Sequence, residues 1–135
     1  MNRNELNSLG TRILECALRV HSALGPGLLE STYKACLAHE LRKAGMHVQL
    51  EVPVPLVYDG VRLEVGYRLD VLVNDAIILE IKAVSGICDE HRAQLLSYLR
   101  LSGRELGYVL NFHSIRLKDG TARVINGYKS EHGVH

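Results

Sequence analysis

Two carboxylates and an amine stand at a spacing that suits metal-assisted chemistry in the stretch 66–84, GYRLDVLVNDAIILEIKAV: Asp70, Glu80 and Lys82. The stretch reads as two strands joined by a tight turn at Asn74-Asp75-Ala76. A three-residue loop sets Asp70 directly across from Glu80, Leu72 from Ile78 and Arg68 from Lys82. Side chains alternate along a strand, so Asp70, Glu80 and Lys82 then share one face. Leu69, Val71, Val73, Ile77, Leu79 and Ile81 share the other. A two-residue loop would divide the acids between faces; the longer loop is preferred because it leaves a nearly unbroken apolar face. Opposed residues hold their Cβ atoms roughly 4.5–5.5 Å apart, and carboxylates that close repel unless a proton or cation lies between them. The competing reading is a charged, solvated strand face, which the same residues fit.

The elements that must position these groups are legible on both sides. Asn4 to Leu24 is an amphipathic helix with Leu6, Leu9, Ile13, Cys16, Ala17, Val20 and Leu24 on its stripe. Gly25-Pro26-Gly27 ends it, and His21 near its end reads as a packing or helix-end residue. A second helix runs from Leu28 to a stop at Gly45. Glu30 falls on the margin of its inward stripe, where an acid either serves the helix dipole or meets a cation. His47 to Tyr58 alternates as an edge strand, with Val48, Leu50, Val52, Val54 and Leu56 facing one way and Pro53 and Pro55 marking the edge. Asp59-Gly60 then turns it into the strand bearing Asp70.

Beyond Lys82, a third helix is expected over Asp89 to Ser102, with Asp89 as N-cap. Gln94 and Tyr98 lie four apart on one of its faces, where they either rim the core or orient water and phosphate. Glu105 to Phe112 is a further strand, reached by a parallel crossover. Thr121 to Asn126 adds a short edge strand after a turn at Lys118-Asp119-Gly120. Residues 1–126 read as a single domain, and residues 127–135 as a frayed tail.

Composition sets bounds on function. With 135 residues, 47% hydrophobic and 23% charged, the chain can bury a core. No apolar run is long enough for a membrane span, and the polar start is no signal peptide. Cys16, Cys36 and Cys88 lack metal-ligand spacing and suit a reducing compartment, so a cytoplasmic location is expected. The net charge of +1 gives no global pull on nucleic acid.

The order helix, helix, three antiparallel strands, helix, strand, with Asp70 and Glu80-Ile81-Lys82 where they stand, resembles the PD-(D/E)XK nuclease superfamily. A closer resemblance is to the GxxExxY family, carried by Leu24-Gly25-Pro26-Gly27, by Gly27-Leu28-Leu29-Glu30-Ser31-Thr32-Tyr33, and by Glu80 through Val84. Gln94 through Leu99, Gly107 and Asn111-Phe112 extend it. Leu69 stands where the superfamily's Pro often precedes the acid, and the stretch 118–124 diverges. The resemblance implies an α/β (α+β) restriction-endonuclease-like core: a mixed four-stranded sheet flanked by helices, in the order ααβββαβ with an optional last strand. It implies Asp70 and Glu80 as metal ligands, Lys82 as catalytic lysine, Glu30 as an additional acid, and Gln94 and Tyr98 as auxiliary site residues. The backbone carbonyl of Ile81 is expected as a third oxygen ligand. The function implied is Mg²⁺-dependent hydrolysis of DNA or RNA, with Mn²⁺ as a substitute ion. The alternative is a silent module of the same fold that binds nucleic acid or a protein. A homodimer is a further expectation.

Overall fold

Helix α1 (Arg3–Leu24) starts at a capping box: the Asn2 side chain accepts from the Glu5 N–H at 2.8 Å, and the Glu5 carboxylate accepts from the Asn2 N–H at 3.0 Å. The expected stripe from Leu6 to Val20 is buried, whereas Leu24 at the helix end is exposed. Helix α2 (Glu30–Lys43) begins two residues later than the sequence pattern suggests, because Leu29 is extended and serves as its N-cap. The computed structural model describes residues 1–126; the fraying expected for 127–135 lies outside the described residues.

Strands β1 (Val48–Tyr58) and β2 (Val61–Val73) form a hairpin across Asp59-Gly60, both at positive φ, as a two-residue turn of this hand requires. Strand β3 (Ile77–Lys82) follows the Asn74-Asp75-Ala76 loop and pairs in the expected register, Val71 with Leu79, Leu72 with Ile78 and Val73 with Ile77. Helix α3 (Asp89–Ser102) crosses over to β4 (Leu106–Asn111), which lies parallel to β3. A 3₁₀ turn at Leu117–Gly120 leads into β5 (Thr121–Ile125), antiparallel to β4. The sheet is therefore mixed and five-stranded, ordered β1-β2-β3-β4-β5, with the optional edge strand present.

Both faces of the sheet are covered. Helices α1 and α2 pack on Val71, Val73, Ile77, Leu79, Ile81 and Leu110. Leu95, Tyr98 and Leu99 of α3 pack on Leu69, Leu72, Ile78 and Val109. Gly107 permits that second contact: a Cβ there would lie 2.9 Å from the Ile78 carbonyl oxygen and 2.9 Å from a Leu95 methyl.

Three local expectations are corrected. Leu69 packs under α3 with Leu72, not with Val71 and Val73, so alternation along β2 changes phase beside Asp70. Strand β1 changes phase as well, since Val48 joins the α1/α2 core and Val54 the α3 core. The cause is local: Glu51, between Leu50 and Val52, has φ 53, a left-handed conformation that breaks the pleat. The N-cap of α3 is Cys88 rather than Asp89, because the chain enters the helix one residue earlier, with Asp89 already in the first turn. Cys88 N–H donates to His91 Nδ1 at 3.2 Å, and the exposed Asp89 carboxylate turns to Arg92 at 3.6 Å.

Candidate active site

The β2–β3 ladder ends at Val71 and Leu79, and two side chains continue it. Asp70 N–H donates to Glu80 Oε2 at 3.2 Å, and Ile81 N–H donates to Asp70 Oδ2 at 2.9 Å. Each carboxylate is thereby held beside the other's strand. Glu80 is 4% exposed. Burial first, and then the charge of Asp70, push its carboxyl up to about 8. No described residue hydrogen-bonds the other oxygen, Oε1. In an extended strand the N–H and C=O of one residue point to the same edge. The Ile81 carbonyl therefore faces the β2 side, where Asp70 lies.

Two cations act on the pair. Lys34 of α2 pairs with Glu51 and stands 3.9 Å from Asp70 Oδ1. The hydrogen bond to Glu51, followed by the charge of Asp70, holds its ammonium above the usual lysine range. Lys82, two residues beyond Glu80, is half-buried, and its ammonium makes no hydrogen bond or ion pair among the described residues. Its charge acts on Glu80 and partly offsets the burial. Glu30 is exposed on the first turn of α2, where its charge acts on Lys34.

Helix α3 brings Gln94 and Tyr98 to a common cavity of about 480 Å³. Gln94 is exposed and Tyr98 is 8% exposed. Burial, then the charges of Glu80 and Asp70, raise the Tyr98 phenol and keep it protonated. Asn111 fixes the segment that follows Lys82: its Nδ2 donates to the Val84 carbonyl at 2.9 Å, and its Oδ1 accepts from Val84 N–H at 3.1 Å. Tyr33 does the same for the turn before α2. It is fully buried and stacked on Phe112 at 4.7 Å; its hydroxyl donates to the Gly25 carbonyl and accepts from Leu28 N–H at 3.1 Å.

The sequence-derived residues thus divide into groups. Asp70, Glu80, the Ile81 backbone and Lys82 converge at the end of the β2–β3 ladder, with Tyr98 within range of both acids. Glu30 joins them through Lys34 rather than as a third acid. Among the described residues no group of three or more His, Cys, Asp or Glu is placed to hold a metal. Sequence reasoning missed Lys34, Glu51 and the positioning role of Asn111. The signal for Asn111 is a lone polar residue closing an apolar strand, LGYVLN, since a buried amide must be bonded.

The donor set fits a hard divalent ion. Mg²⁺ is held by one or two carboxylates and keeps several waters, and the site offers two facing carboxylates, one buried with an oxygen lacking a protein partner. The fold and site together define an α/β protein with an acid pair and a lysine on neighbouring strands of a mixed sheet. A family model of the PD-(D/E)XK nuclease superfamily matches residues 7–124. The chain belongs to that superfamily. No curated protein and no solved structure matches it. No helix among the described residues is long and apolar enough to cross a membrane.

Proposed function

We propose that the protein is a Mg²⁺-dependent phosphodiesterase acting on nucleic acid, of the GxxExxY type within its superfamily. The observation that carries this reading is that the Asp70 and Glu80 carboxylates each accept from a backbone N–H of the other's strand, Glu80 from Asp70 and Asp70 from Ile81, with the Lys82 ammonium uncommitted beside them. Asp70, Glu80 and the Ile81 carbonyl would hold the ion, and Glu30 would reach it through water. When bound, Mg²⁺ supplies a water of lowered pKa and Lewis-acid polarisation of a phosphate oxygen.

The chain's own residues carry the rest. Glu80 releases the proton that burial lets it keep, so that both carboxylates are charged in the loaded protein. Lys82 orients the attacking water and stabilises negative charge growing on the phosphate. Gln94 donates its amide to water or phosphate, and the protonated Tyr98 hydroxyl donates along the wall of the site. Three free cysteines accord with a reducing compartment, and we assign the cytoplasm.

Lys34 favours a second reading. Its ammonium already stands against Asp70 and bonds Glu51, so an internal cation would replace the divalent one in a module that binds nucleic acid or protein without cutting. The test is purified protein with plasmid, linear duplex, single-stranded DNA and RNA, in Mg²⁺, Mn²⁺ or EDTA. Metal-dependent cleavage lost in Asp70→Ala and Lys82→Ala supports the enzyme. Binding without cleavage, unchanged by those substitutions, supports the module.

A further inference from the structure

Near the acid pair, the β1–β2 arm and α3 line an open cavity of about 480 Å³. Tyr67 of β2 and Tyr98 of α3 supply its rings, with centroids 5.8 Å apart and planes inclined by 52°. Leu56 and Leu101 add apolar wall, while Gln94 and Arg100 add an amide and a guanidinium. Tyr67 is 44% exposed. It lies three residues before Asp70, about 10 Å along the strand.

This combination has a specific chemistry. The walls are too apolar for a bare phosphate, and the space far exceeds one ion. A planar heteroaromatic ring stacks on a tyrosine face with about 1–3 kcal/mol per base. An amide offers both donor and acceptor to a polar ring edge, and a guanidinium matches a phosphate. We propose that this cavity is a nucleobase subsite, receiving an unpaired base next to the scissile phosphate. The substrate class is then single-stranded nucleic acid, or unpaired nucleotides at an end or flap. A paired base must first leave its stack, at a cost of a few kcal/mol. The position of the scissile phosphate rests on the nuclease reading above; occupation of the subsite does not require cleavage.

The test uses the full chain in EDTA with a short single-stranded oligonucleotide carrying 2-aminopurine, read by fluorescence and by anisotropy. Stacking quenches the probe in the wild-type protein and in Tyr67→Phe. In Tyr67→Ala the quench is lost and binding weakens by roughly 5- to 150-fold, the stacking energy expressed as a ratio. The same sequence as a blunt duplex binds more weakly and is not quenched. Equal affinity for duplex and single strand, an unaffected Tyr67→Ala protein, or no binding at all overturns the subsite. Circular dichroism confirms that the variant is folded, Tyr67 being exposed. Cleavage with an unaffected Tyr67→Ala protein sinks the subsite alone. Stacking without cleavage in Mg²⁺ or Mn²⁺ sinks the nuclease reading and leaves the subsite standing.

Discussion

Replacing Glu80 by Gln isolates the electrostatics of the acid pair. The amide keeps an acceptor for the Asp70 N–H but does not titrate. In the wild-type protein the carboxyl moves from 4.5 in the unfolded chain to about 8 when folded, through burial and then the charge of Asp70. A carboxyl raised in this way stabilises the fold fully below the unfolded value. That contribution fades as pH rises towards and through the folded value. Between pH 6 and pH 9 the loss is on the order of 2.5 kcal/mol, using about 1.4 kcal/mol for each pH unit in the window. For a chain of this size that corresponds to a fall of roughly 9 °C in Tm. Urea or thermal melts in EDTA at the two pH values should therefore separate the proteins: wild type loses this much more stability than Glu80→Gln. Millimolar Mg²⁺ should recover part of the loss in wild type alone, since an ion bound to the folded state stabilises it. Parallel curves for the two proteins, with or without the ion, would refute the reasoning.

Lys82→Ala should lower turnover by roughly 10²- to 10³-fold, the range seen for lost charge stabilisation in a transition state. Mn²⁺ binding measured by calorimetry should be nearly unchanged. Gly107→Ala should destabilise the fold by about 1–3 kcal/mol in chemical denaturation, because the new methyl would meet the Ile78 carbonyl and Leu95 at 2.9 Å. Tyr33→Phe should cost about 1–3 kcal/mol by leaving the Gly25 carbonyl without its donor. Faster proteolysis in the turn at Gly25-Pro26-Gly27 would report the same loss.

The acid pair was legible because two short loops determine strand register. Asp59-Gly60 and Asn74-Asp75-Ala76 are turn sequences with their own conformational preferences, and apolar alternation selects the loop length that pairs Val71 with Leu79 and so brings Asp70 beside Glu80. The surroundings of Asp70 were not legible in the same way. From the Asp59-Gly60 turn, Tyr58 pairs with Val61 and Leu56 with Leu63. Continued unchanged, that register would set Glu51 against Arg68. An irregularity between Val54 and Leu56 shifts it, so that Pro53 takes Arg68 and Glu51 falls between the pairs Leu50–Val71 and Val52–Leu69. Glu51 thereby comes level with Asp70, and Lys34 reaches both. A left-handed glutamate in a strand leaves no trace in hydrophobic patterning, and a contact between α2 and β1 is not local in sequence. For the same reason the face of Leu69 was misread, although every residue from Val71 to Ile81 with an odd number packs as alternation requires, outside the loop itself.

The most direct test of the acid pair is anomalous diffraction from crystals soaked in Mn²⁺ at pH 8. The account predicts a strong peak between the carboxylates of Asp70 and Glu80, beside the Ile81 carbonyl, with the Lys34 ammonium displaced from Asp70. A map without that peak, and with Lys34 still against Asp70, would contradict it.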